Sequence, residues 1–355
     1  MEQMKEMNIN ALPSKTWHWL NLNETALLWN TELPSCQMML EGGKPIEITK
    51  EMLSAIETGA GKGADSLFNN IEAQSIGIQA DRTNCGETVR VKVGSLEEKG
   101  AAGLIYIRAE QESDITVIQT FPAGDVSTKQ LAFRTQIQAQ ANSHVRLIQV
   151  FMQGEETELL NDIGCVCDEQ ARLDILQLVI GKGNLYNGIR TELDGNQSDV
   201  QIAIGYLGQK QQILDMNLIV NHIGKKTNSF IQVDGTLKDA AQKIFRGSID
   251  FKKGSSESKG AETEQVLLLG DDVINKTIPL ILCAEEDVEG SHGATIGELD
   301  EDTMFYFATR GIGVEAAEEI MTKGKLDVLC RKIKDTATEE LVEQQLAEVM
   351  AYDRT

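Results

Sequence analysis

Four histidines occur among 355 residues, and one of them, His292, stands in the segment GSHGATIGELDEDTMFYFATRGI at 290–312. A neutral imidazole titrates near neutrality and binds borderline metals such as iron, so this side chain can serve as a ligand or a proton carrier. A turn residue where a strand-like run meets a helix-like one is the alternative. Cys165 and Cys167 are two apart, which puts both thiols on one face of a strand. A cluster takes about four soft ligands, and no further cysteine is close in sequence, so the pair reads as core packing. His222 follows the apolar run LIVN and reads as structural. Cys283 in PLILCA and Cys330 in a helical stripe read as packed thiols. The glycine-rich GAGKGADS resembles a phosphate loop, but Ile56 and Gly63 stand where that pattern needs Gly and Ser/Thr. It reads as a flexible loop, and no nucleotide is expected on this chain.

The elements that must hold these residues change along the chain. Residues 1–75 are mixed and partly helical. They include Trp17, Trp19 and Trp29 and a helix in TKEMLSAIETG, capped by Thr49 and stopped by Gly59. Residues 76–290 are a succession of short strand-like runs (SIGIQA, TVRVKVG, DITVIQTF, VQIAIGYLG, SFIQVDGTL) punctuated by Gly, Asp and Asn. Only 164–177 is ambiguous. A sandwich or barrel is the usual outcome of such a pattern. Two-residue hairpin turns are few, however, and strands restart after similar gaps, as in a solenoid without a strict period. Residues 291–355 turn helical. DEDTMFYFATRG has acids at its start and Arg310-Gly311 at its end. The helix at 314–333 is expected to bury Ala317, Ile320, Met321, Val328, Leu329 and Ile333, with Gly324 a point of bending. A last helix carries Leu341, Val342, Leu346, Val349 and Met350.

The totals exclude some functions. A net charge of −22 disfavours nucleic acid. No apolar run approaches the roughly 20 residues of a bilayer span, and the first residues lack a signal-peptide core. A cytoplasmic protein with free thiols is expected.

Four ordered anchors resemble the SufB/SufD family of the SUF iron–sulfur cluster assembly system: NALPSKTWHWLNLNET, NHIGKKTNSFIQVDGTLKDAAQKIFRGSIDF, the run VLLLGDDVINKTIPLILCAEEDVEG, and SHGATIGELDEDTMFYFATRGI. The resemblance covers residues 8–335 and is strongest over 217–313. It implies a mainly β fold, a right-handed parallel β-helix flanked by an N-terminal mixed or helical segment and a C-terminal helical one. Glu264 occupies the place of a SufB-type cysteine, and His292-Gly293-Ala294 replaces a His-Glu-Ala, so the resemblance is to the SufD type. Gly290 departs from the cysteine common there. The chain is short for the family, which implies a shortened N-terminal region.

The resemblance implies a non-enzymatic subunit that pairs laterally with a SufB-like scaffold. Two SufC-like ABC-type ATPases would dock on the C-terminal helices, which otherwise serve as a cap over the solenoid end. It places His292 at the subunit interface as an iron or cluster ligand, with the cluster transient and shared. Glu264 is an oxygen ligand to iron on this view, or else a solvated residue at an exposed strand end. Cys283 keeps open a homodimeric scaffold that builds clusters itself. A β-helix carbohydrate-binding protein or enzyme is a further alternative, disfavoured by 5% aromatic residues and by tryptophans outside the β region.

Overall fold

A computed structural model describes residues 4–16, 20–70, 74–94, 100–122 and 129–351. Trp17 and Trp19 of the expected tryptophan cluster lie outside them. Two nine-stranded sheets face each other, and the chain alternates between them strand by strand. One sheet holds β4 (Lys44–Ile46), β5 (Gln74–Ala80), β7 (Ala101–Ala109), β9 (Gln130–Ala139), β11 (Glu158–Cys167), β13 (Asn184–Leu193), β15 (Ile213–His222), β17 (Gln242–Phe251) and β19 (Ile274–Cys283). The other holds β3 (Gln37–Glu41), β6 (Glu87–Gly94), β8 (Asp114–Phe121), β10 (His144–Phe151), β12 (Arg172–Val179), β14 (Asp199–Gly208), β16 (Asn228–Lys238), β18 (Ser258–Leu269) and β20 (Val288–Gly297). From β5 and β6 onward every pairing within the two sheets is parallel, giving a β-solenoid of about seven turns. The ambiguous 164–177 stretch is strand, in β11 and β12.

The repeat is irregular in length. Paired residues in successive coils are 26 apart at Asn161 and Asn187, but 32 apart at Gln242 and Ile274. The slack sits in the corners, which is why the strands keep register while the sequence shows no fixed period. One row of corners is stereotyped. Glu112, Asn142, Gln170, Gln197, Lys226 and Glu257 all adopt positive φ, between 55° and 63°. Each donates its backbone N–H to a carbonyl one coil on, as Asn142 does to Glu169 at 2.9 Å. Left-handed backbone costs a non-glycine residue about 1–2 kcal/mol; the relayed hydrogen bonds offset it.

Inward side chains form a continuous core column by column, for example Ile115, Val145, Leu173 and Val200. Cys165 and Cys167 lie in it, fully buried, as expected of packed thiols. Burial pushes both thiols well above the normal range. A second column is polar. Gln149 and Asn161 bridge the two sheets (2.9 Å), and so do Asn187 and Gln177 (2.7 Å).

Both outer faces are covered. The hairpin β1 (Met4–Ile9) and β2 (Thr25–Asn30) packs with helix α2 (Lys62–Asn70) on the β7–β13 face, through Trp29, Leu67, Phe68, Leu160 and Tyr186. GAGKGADS is therefore not a loose loop: its second half is α2, and its first half lies pressed on the sheet. A Cβ on Gly59 would come within 2.1 Å of the Ile189 backbone nitrogen, so only glycine permits that approach. Helix α1 (Lys50–Ser54) precedes it, with Thr49 capping through Met52 N. Buried ion pairs pin this segment. Arg134 joins Asp162 and Asp65, while Arg246 joins Asp215 and donates to the Leu22 carbonyl.

The C-terminal helices are α3 (Glu301–Ala308), α4 (Val314–Cys330) and α5 (Thr336–Ala351). They do not cap the solenoid end. α4 lies along the flank, over β12, β14 and β16, and α4 and α5 share one apolar cluster with that sheet. Leu326, Leu329, Cys330 and Ile333 face it, and α4 runs unbroken through Gly324. Ile320 and Val328, expected inside, are 49% and 58% exposed.

Candidate functional site

The last coil has no successor. β19 and β20 each leave one strand edge unpaired, and β20 is exposed from Glu289 through Ile296. His292 lies in the middle of this strand rather than in a turn leading to a helix; α3 starts only at Glu301. The register fixes its surroundings. In β18 the buried alternation Ser258, Gly260, Glu262, Glu264, Val266 marks the inward residues. Their partners in β20 are Val288, Gly290, His292, Ala294 and Ile296. His292 therefore stands on the lumen-facing column, directly after Glu262, and is open to solvent only because the solenoid stops.

Beneath it is a charged floor. Lys243 of β17 is fully buried and ion-paired with Glu264, and its Nζ donates to Thr277 Oγ1 at 3.2 Å. Glu264 is 2% exposed and Glu262 4%. The expectation of a solvated Glu264 at a strand end is thus wrong: an inward position in mid-strand buries it, and Lys243 neutralises it. Glu262 spans the lumen to Gly247, where a Cβ would meet its Oε2 at 1.8 Å. Burial, and next the neighbouring charge of Glu264, pushes the Glu262 carboxyl up to about 7. Burial lowers the Lys243 ammonium against the pull of Glu264.

Cys283 also lies on an inward column, after His222 and Phe251. It is exposed, not packed as expected, since its column too ends here. Glu262 lies opposite Gly247, whose next partner is Pro279, so His292 is level with Pro279. Gly290 faces Ile281, which confirms that level. Cys283 is four residues further along β19, about 13 Å away at strand rise. The end of the lumen thus gathers all three sequence-selected residues but does not converge them. Glu262 and Lys243, which sequence alone did not single out, complete the floor; their signal is a charged residue at an inward position of an otherwise apolar alternation.

His222 is structural, as expected. It is buried, with Nδ1 at 2.7 Å from Thr227 Oγ1 and Nε2 at 2.9 Å from Ser229 Oγ. Burial lowers it to about 4. A cluster cargo would find one imidazole and one distant thiol here, too few soft donors to hold it without a second surface.

A two-sheeted solenoid with flanking helices and an open polar end defines the class, and the comparisons agree. The family model described as "SUF system FeS cluster assembly, SufBD core domain" matches residues 92–325, more than half of the chain. The chain belongs to the SufBD family. Its likeness is to the SufD type: it is 25% identical over 227 residues to the iron–sulfur cluster assembly protein SufD of Bacillus subtilis (strain 168), covering 62% of this chain and 51% of that protein. To SufD of Escherichia coli (strain K12) it is 24% identical over 244 residues, covering 69% and 57%. A SufBD family protein of Pyrococcus horikoshii is 27% identical over 168 residues, covering 47% and 36%. The chain spans about half the length of the two SufD proteins. Among the described residues no helix is long and apolar enough to cross a membrane.

Proposed function

We propose that the protein is a SufD-like, non-catalytic subunit of a cytoplasmic iron–sulfur cluster assembly complex. The observation that carries this is the open solenoid end: two unpaired strand edges flank an exposed His292 above a buried charged floor. An unpaired edge is a template for another chain, and a SufB-like scaffold is the partner. The cluster is cargo shared across that interface, with the second subunit supplying the soft donors missing here. A SufC-like ABC-type ATPase docks on the C-terminal helices. Their outward residues support this: Phe305 is 70% exposed and Val314 and Val328 58% each, a run of apolar side chains on α3 and α4. Nucleotide turnover belongs to that partner, and it moves the interface only through differential binding to two arrangements.

The test is affinity purification of the tagged chain from its own cells with mass spectrometry. Recovery of an ABC-type ATPase and a SufB-like chain is expected; recovery of neither would overturn the assignment. The exposed Cys283 at the same end favours one second reading, a homodimeric scaffold. A stable cluster formed on the pure protein with iron and sulfide, together with self-association and an ATPase in the pull-down, would select it.

A further inference from the structure

We infer that the open end of the lumen is a loading site for one first-row divalent cation, with His292 and Glu262 as its two protein donors. The inference rests on the functional site lying at this end of the solenoid, and it adds a donor and a ligand class. His292 and Glu262 are register partners in adjacent parallel strands, and both belong to the inward set. Their backbones are therefore about 4.8 Å apart and their side chains leave on the same side. A ring nitrogen and a carboxylate oxygen so placed reach a common ion.

The buried charges point the same way. Two carboxylates, Glu262 and Glu264, share the lumen with one ammonium, Lys243, and Lys243 is committed to Glu264. One negative charge is left at a 4% exposed position, which is costly without a counter-charge. The second oxygen of Glu264, Oε2, is buried and has no hydrogen-bond partner. A cation seated between Glu262 and His292 would balance the floor and face that oxygen.

Nitrogen and oxygen donors suit ferrous iron, cobalt(II), manganese(II) or zinc. No thiol is at this level, since Cys283 is about 13 Å along the strand. Among the described residues no three of His, Cys, Asp and Glu already converge on a metal position. The remaining coordination sites thus fall to water or to a docked subunit, as a loading site requires.

The intact chain should be titrated anaerobically with cobalt(II), followed by calorimetry and visible absorption. One equivalent with weak d–d bands is expected. Glu262→Gln should weaken binding by roughly tenfold or more without lowering the thermal midpoint, because a neutral amide fits the same pocket. His292→Ala should weaken it likewise. Binding by Glu262→Gln within about twofold of wild type would overturn the inference; if His292→Ala still abolished binding, the histidine's role would survive alone. An intense near-ultraviolet thiolate band that disappears in Cys283→Ser would also overturn it, moving the site to the corner. Absence of any binding by the wild-type chain would overturn it too, while leaving the assembly role to be decided by the purification described above.

Discussion

At its first coil the solenoid is closed by strands that run against it; at its last coil nothing is added. β3 pairs antiparallel with β6, and β4 with β5, around a turn in which Gly42 and Gly43 take positive φ. The lumen there holds Ile78, Val89, Val91 and Val93. At the other end the parallel rule is kept to the edge, and the lumen holds Lys243, Glu262 and Glu264. A reversed strand is an effective stop, because a third parallel strand cannot follow it in the same coil. The contrast teaches that an apolar interior suffices where the solenoid only has to end. Charge appears where it has to meet something.

The predictions grade that contrast. The largest effect is expected from Arg134→Ala, near the closed half, which strands the fully buried Asp162. Losing one partner of such a pair costs about 3–5 kcal/mol, readable as a lower denaturation midpoint. Next comes a pH effect confined to the open half. His222, held neutral at about 4, binds fewer protons folded than unfolded. Its contribution is present above about pH 6.5 and is lost as pH falls through 4, amounting to about 3 kcal/mol. His222→Gln should flatten the stability-versus-pH curve in that window, and an unchanged slope would refute the assignment.

Gln177→Leu should cost about 2 kcal/mol by orphaning Asn187 Nδ2; a neutral result in denaturant would show the bridge to be dispensable. The smallest stability effects belong to the exposed sites. Ala294→Arg on the open strand and Val328→Asp on α4 should change stability by less than about 0.5 kcal/mol. The first should release the SufB-like partner in a pull-down and the second the ATPase; retention of both would dissolve the functional difference between the ends.

Much of this was legible in the sequence. Short strands from SIGIQA to PLILCA, the Thr49 cap and the helical C-terminus follow from local patterning. The solenoid itself did not, because coils of 26 to 32 residues hide the repeat; the family resemblance supplied it. GAGKGADS misled because its glycines serve a close backbone approach 100 or more residues away at Gly164 and Gly188, and flexibility plays no part. Ile320 and Val328 were misplaced because α4 meets a sheet on one side only, and the helical period alone does not say which apolar residues take that side. Glu264 and Cys283 were assigned the wrong exposure because alternation says which residues share a face, while the position of the last coil decides whether that face is covered.

The pinning of the N-terminal hairpin has a consequence for how the chain is made. Asn10 bonds Asp215, and the Leu22 carbonyl is taken by Arg246, partners 205 and 224 residues downstream. A ribosome adding about 5–20 residues per second completes that distance in roughly 10–45 seconds. During that interval Trp29, Leu27 and Ile9 have coils to rest on but not the arginine that locks them. The first residues synthesised are thus among the last to be secured, and a chaperone with affinity for nascent apolar hairpins has its longest opportunity there.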